Sequence, residues 1–169
     1  MVVALIILSI AIFIIYRAKK LVGKDGVTTA DPLLKKLSII VFAATILQIL
    51  LGTQVREEVD VLLKNFDAIY RNEIITNLGV YFKIHRSFSI IITLVNAWII
   101  FRIRKTNGAL SLKNSAKWLG LVVLTALVSG ITLSMCALPA PVQPIHLLLA
   151  CFIYGLQWML ILRIWEKQQ

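Results

Sequence analysis

Two histidines, His85 and His146, are the only ones in the chain, and each stands at the start of a long apolar run. An ionisable side chain inside a membrane-length segment is costly to bury, so it points to function first. A lone buried histidine is usually a satisfied core residue. Two at matching places on two helices suggest a group held between them. Two imidazoles are too few for structural zinc, which takes four protein ligands. Neither apolar run contains an Asp or Glu to complete a metal site. Two axial nitrogens are enough for a haem, which brings its own four. A haem also needs cations near the polar surface for its propionates. Arg86 adjoins His85, and Arg56 closes a polar stripe at the same end. Arginine suits a carboxylate through two parallel N–H bonds, and headgroup anchoring is the other reading of both residues. Cys136 and Cys151 form no CxxC or Cys/His cluster and read as ordinary buried thiols, a disulfide being the alternative.

These residues need rigid carriers, and composition says which kind. The chain is 59% hydrophobic over 169 residues, against about 45–50% for a soluble domain. The excess comes in blocks of membrane-spanning length that do not alternate as barrel strands would. The expected fold is all-α: a multi-pass membrane protein with a four-helix transmembrane bundle and one extra N-terminal helix. The net charge of +10 comes from Lys and Arg flanking the apolar blocks. That pattern reads as membrane topology, with no nucleic-acid partner.

The first apolar run is Val2–Tyr16, inside an N-terminal helix placed at residues 1–20. It is short of a full span, and its positive charges follow it, the wrong order for a cleaved signal peptide. The later spans are expected at Leu37–Val55, Tyr81–Phe101, Trp118–Leu138 and Ile145–Trp165, making a bundle over 33–165. The loops at 17–36 and 102–117 and the C-terminus are basic; the other two loops are not. The N-terminus is therefore expected outside and the C-terminus in the cytoplasm. Both histidines then lie at the outer end, on helices running the same way. Between the second and third spans, Val59, Leu62, Leu63, Phe66, Ile69 and Tyr70 recur at helical spacing. They predict an amphipathic helix over 58–72, lying flat on the outer face as a lid over the histidines or as a plain surface helix.

Helical spacing also tells which faces point inward. His85, Ser89, Ile92 and Asn96 share a face, and His146, Ala150, Ile153 and Gln157 repeat the spacing. Thr45, Gln48, Gly52 and Arg56 form a third stripe. Thr125, Ser129 and Thr132 form a fourth, read with Gly130 as helix-packing residues. The first span has only Ser9, so it should pack outside the bundle or belong to something else.

The run Gly52-Thr-Gln-Val-Arg56, then His85-Arg86, then Gln143-Pro-Ile-His146 resembles the heme A synthase family over about residues 33–165. Members of that family usually carry two such bundles. One oxidises a ring methyl of heme O to the formyl of heme A; the other holds a heme b between two histidines. The substrate half typically has a Glu three residues before its first histidine, where this chain has Phe82. The cysteine-bearing outer loop of many members is also missing. The resemblance therefore implies the heme b half, with His85 and His146 as axial ligands of the haem iron and Arg86 and Arg56 on the propionates. It names no catalytic residue; Glu57 is the nearest outer carboxylate and is expected to face solvent. It implies a bacterial inner membrane, lipid contact, heme O as substrate and an unnamed electron donor. Heme O synthase, a missing N-terminal bundle or a second copy are the further partners it suggests. On this reading the first span is the tail of that missing bundle. The alternatives are a b-type membrane cytochrome without chemistry of its own, and a haem-free scaffold.

Overall fold

A computed structural model describes residues 2–22, 31–65, 71–106 and 110–165. Six helices occupy them: α1 (Val2–Val22), α2 (Pro32–Asn65), α3 (Arg71–Asn77), α4 (Val80–Lys105), α5 (Leu110–Met135) and α6 (Val142–Ile164). All except α3 are long and apolar enough to cross a membrane, and no strand occurs among the described residues. Spanning helices suit lipid because each satisfies its own backbone hydrogen bonds. The expected four-helix bundle with an extra N-terminal helix is the architecture found. Its contacts form a ring in which α2 meets α4, α4 meets α5, α5 meets α6, and α6 returns to α2. The two histidine-bearing helices, α4 and α6, are therefore diagonal partners across the interior. Helix α1 packs outside, against α6.

The helices overrun the apolar blocks. Hydropathy marks what sits in hydrocarbon, whereas a helix ends only where its backbone hydrogen bonds end. α5 starts at Leu110 rather than at Trp118, so residues expected in a basic loop form its first two turns. The larger difference is in α2. Its 34 residues would measure about 50 Å, well past the ~30 Å hydrocarbon core. Arg56, Glu57, Glu58 and Asp60 end its apolar signal, yet no Gly or Pro follows to break it. Arg56 and Asp60 instead staple successive turns, with Nη2 2.9 Å from the carboxylate. Residues 58–65, expected to begin a separate flat helix, are thus the last turns of α2. Of the remainder of 58–72, residues 66–70 lie outside the described residues, and 71–72 open α3. Val59, Ile74 and Leu78 are buried where α3 folds back on α2.

Side chains fix the helix ends. The Leu33 N–H donates to Asp31 Oδ1 at 3.0 Å, capping α2, and Arg102 from the end of α4 donates to Asp31 Oδ2 at 2.7 Å. Both interactions favour the carboxylate and hold the Asp31 pKa below its ordinary value. Glu58, on α2, accepts the Gly79 N–H at 3.2 Å and places a negative charge at the start of α4. Arg163, near the end of α6, donates to the Ser111 carbonyl and to Ser115 Oγ of α5.

The closely packed core sits at the end away from the histidines. Leu34, Val41, Ile99, Ile103, Leu112, Leu119, Leu160 and Ile164 form it, with the rest of one contiguous cluster.

Candidate functional site

The sequence pattern places His85 in the second turn of α4 and His146 in the second turn of α6. The helices start at the same end of the bundle, so both rings occupy one layer. Both are half-buried.

Each ring rests on a glycine of the helix beside it. A Cβ added to Gly52 of α2 would stand 3.2 Å from His85 Cε1; one added to Gly130 of α5 would stand 3.2 Å from His146 Cε1. Any larger residue at either position would push its imidazole away. The hydrogen bonds of the two rings differ. Ser129 Oγ lies 2.7 Å from His146 Nδ1. His85 Nδ1 is buried and makes no hydrogen bond among the described residues, while the His85 backbone carbonyl accepts Gln48 Nε2 at 2.9 Å.

On their own helices the rings have no fully buried neighbours. The first buried residue of α4 is Ile92, about two turns below His85, and that of α6 is Tyr154, about two turns below His146. Neither 80–91 nor 142–153 contains a fully buried residue. Lower still, Gln157 Nε2 donates to Asn96 Oδ1 at 3.0 Å across the diagonal. Asn96 is 0% and Gln157 3% exposed. The two inward stripes therefore meet where helical spacing put them, and the amide pair floors the histidine layer.

Above the rings, Arg56 is engaged. Its Nε donates to Asp60 Oδ2 at 3.0 Å, Nη2 lies 2.9 Å from Oδ1, and Nη1 donates to Gln143 Oε1 of α6. Arg56, Gln143, Leu63, Ile74 and Leu138 line a cavity of about 180 Å³ at this end. Arg86 is exposed, lies over the Phe82 ring at 5.8 Å, and has no carboxylate partner among the described residues. Glu57 is exposed and lines a separate open groove with Glu58, Val61 and Tyr81.

Sequence reasoning missed Ser129 and both glycine seats. It read Ser129 and Gly130 as packing residues, and that reading is too narrow. Thr125, expected on the inward stripe with Ser129 and Thr132, is instead exposed and bonds only its own helix, at the Leu121 carbonyl. A signal for Gly130 did exist. α5 and α6 are antiparallel across a short turn, so residues equidistant from the turn pair up, and Gly130 pairs with His146. Gly52 and His85 are joined by a long connection and offer no such count. The cysteines are both free, and Cys136 is exposed rather than buried.

Among the described residues no three His, Cys, Asp or Glu side chains gather to hold a bare metal ion. The donor set is two imidazole nitrogens on two diagonal helices. That fits a flat group that carries its own equatorial ligands and asks only for axial ones. Among known proteins, a family model described as cytochrome oxidase assembly protein matches residues 1–159. Comparison with curated proteins and with solved structures gives no match.

Proposed function

The chain belongs to the COX15-CtaA family of cytochrome oxidase assembly proteins, and from that premise we propose that its bundle holds a heme b between His85 and His146 and supports the oxidation of heme O to heme A. One observation carries the reading. The only two imidazoles lie on diagonal helices, in one layer, in the half of the bundle that α4 and α6 leave without fully buried side chains. Gly52 and Gly130 support it by seating the rings.

A bound haem would supply one-electron redox chemistry inside the membrane. The residues do the rest. His85 and His146 would hold the haem, one from each of the diagonal helices α4 and α6. Arg86 offers a guanidinium free of any carboxylate among the described residues. Arg56 offers Nη1 only by exchanging Gln143 for the propionate, since its other nitrogens hold Asp60. The Asn96–Gln157 bridge closes the interior below. The basic residues gather at the far end, so the histidine end faces outward, with the N-terminus outside and the C-terminus in the cytoplasm.

A second reading has its own support. Among the described residues, the carboxylates near the histidine layer are occupied or turned away: Glu58 caps α4, Asp60 pairs with Arg56, and Glu57 faces the outside groove. Phe82 stands where a substrate half would have an acid. This favours electron transfer over methyl oxidation as the chain's own contribution.

Two measurements decide. Purified protein supplied with haem should show a low-spin absorption band that is lost on changing either histidine to alanine. Survival of the band in either variant would sink the ligation claim. Conversion of heme O to heme A by the loaded protein, given an electron donor, separates synthase from carrier.

A further inference from the structure

We propose that Arg163 forms a site for the headgroup phosphate of an anionic membrane lipid, in the crevice where the end of α6 meets the first turns of α5. The site lies at the end of the bundle away from the histidines and stands whether or not a haem binds.

Arg163 is half-buried in the last turn of α6. Its Nη1 donates to two acceptors of α5, the Ser111 carbonyl and, at 2.8 Å, Ser115 Oγ. Its Nε is buried and makes no hydrogen bond among the described residues. Both acceptors are neutral, so the guanidinium is held in place without being neutralised. A charge drawn partly out of water needs a counter-charge. Asp31 is the one carboxylate at this end among the described residues, and it pairs with Arg102 at 2.7 Å. The surroundings add positive charge instead. Arg102, Arg104 and Lys105 close α4, and Lys113 and Lys117 stand in the first two turns of α5. The counter-anion therefore comes from outside the described residues. A phosphate suits it, because a guanidinium offers parallel N–H donors to two phosphate oxygens.

The place selects a lipid. Five helices of membrane-crossing length bring this end to the bilayer surface, where headgroups lie. On α5, helical spacing puts Asn114 and Trp118 beside Ser111 and Ser115, and both are exposed. Leu121, Thr125 and Val128 carry that exposed strip further into the span. A lipid with its phosphate on Arg163 lays an acyl chain along the strip. Basic crevices between spanning helices are recurrent seats for anionic headgroups. A free phosphate ion would meet the charge and leave the strip uncovered.

The full-length chain in phosphatidylcholine bilayers tests this. Brominated phosphatidylglycerol, added as a minor component, should quench Trp118 more than brominated phosphatidylcholine does, the Trp118 signal being the difference between the parent and Trp118→Phe. Arg163→Gln should lower the relative affinity for phosphatidylglycerol about fivefold, the worth of one arginine at an anionic surface. Lys117→Gln removes the same charge from another face of α5 and should lower it less. Equal losses in the two variants would mean a diffuse basic collar and overturn the site, as would equal quenching by the two lipids. Circular dichroism shows whether each variant remains helical. Arg163→Lys keeps the charge without the fork and should fall between wild type and Arg163→Gln, so it carries the test if Arg163→Gln does not fold; an Arg163→Lys protein with wild-type affinity then overturns the site. Inorganic phosphate, compared with chloride at equal ionic strength, should leave the quenching unchanged. Relief by phosphate alone would assign the site to the free ion and overturn the lipid.

Discussion

At the scale of single residues, the clearest success of helical spacing is the amide pair. Asn96 and Gln157 were placeable because each sits three turns below its histidine on the same stripe. Their bond spans the bundle's diagonal at 3.0 Å, and Asn96 also donates to the Ile92 carbonyl at 2.9 Å. Removing one partner strands the other in an apolar interior, whereas removing both does not. Asn96→Ala and Gln157→Ala should each destabilise the bundle by about 1–2 kcal/mol, with the double variant costing less than their sum. Membrane hydrogen bonds measured by such cycles average about 0.6 kcal/mol, so a coupling near that value is expected. Reversible unfolding of the four proteins in mixed detergent would check it, and a zero coupling would mean the bond contributes nothing. Ser129 was less legible for a physical reason. A serine in a membrane helix commonly bonds its own backbone, as Thr45 and Thr125 do here, and only the partner helix reveals a second bond.

At the scale of elements, the sequence marks where helices cross the membrane more plainly than where they stop. The overrun of α2 shows this, since charged residues end a hydropathy signal without disturbing the i to i−4 ladder. Its other end shows what does set a boundary. Asp31 caps the first turn and holds Arg102 from α4. Its pKa lies below the ordinary value of 3.8 in the fold, so the folded state favours the ionised form. That contribution is fully present above pH ~4 and is lost as pH falls through the lower folded value. The thermal midpoint of wild type should exceed that of Asp31→Asn by a constant amount from pH 5 to 7, and the gap should narrow below pH 4. A gap that widens on acidification would reverse the sign. The turn between α5 and α6 offers a second case. Ala137 and Leu138 both have φ of 55°, a left-handed conformation that L side chains resist. The Leu138 N–H still reaches the Leu133 carbonyl at 3.1 Å, closing the end of α5. Non-glycine residues in this region cost roughly 1–2 kcal/mol each. Ala137→Gly should therefore stabilise the protein by about 1 kcal/mol, less the added freedom of glycine in the unfolded chain. This turn borders the Arg56–Gln143 cavity, so the strain is held where the histidine layer meets the surface.

At the scale of the whole molecule, the bundle is two hairpins that mirror one another. α2 seats the histidine of α4 on Gly52, and α5 seats the histidine of α6 on Gly130. The larger packed cluster closes the ring at the end away from the histidines. Helix α1 stands apart from that plan. It touches α6 on its outer side, where the Ser9 and Tyr154 hydroxyls bond and Trp158 Nε1 donates to the Ser9 carbonyl at 3.1 Å. Phe42 of α2 backs this patch, its ring centroid 4.9 Å from that of Tyr154. Ser9 was the one polar residue in an otherwise uniform span, and its lone position is what made an outside seat legible. The contact partner on α6 was not legible, because tyrosine and tryptophan in a span also serve as interfacial anchors. Gly155 tests whether α1 is separable from the haem-binding bundle. A Cβ there would stand 3.1 Å from Ile12 Cδ1, a contact that alanine could absorb by a shift of the isoleucine tip. Leucine would overfill the seat, at a cost of about 1–3 kcal/mol. In Gly155→Leu, α1 should leave α6, and a cysteine pair at Ser9 and Tyr154 that cross-links in the parent should stop doing so. The low-spin band should persist, because the ring-bearing faces of α4 and α6 turn away from α1. Loss of the band together with the cross-link would instead make α1 part of the site.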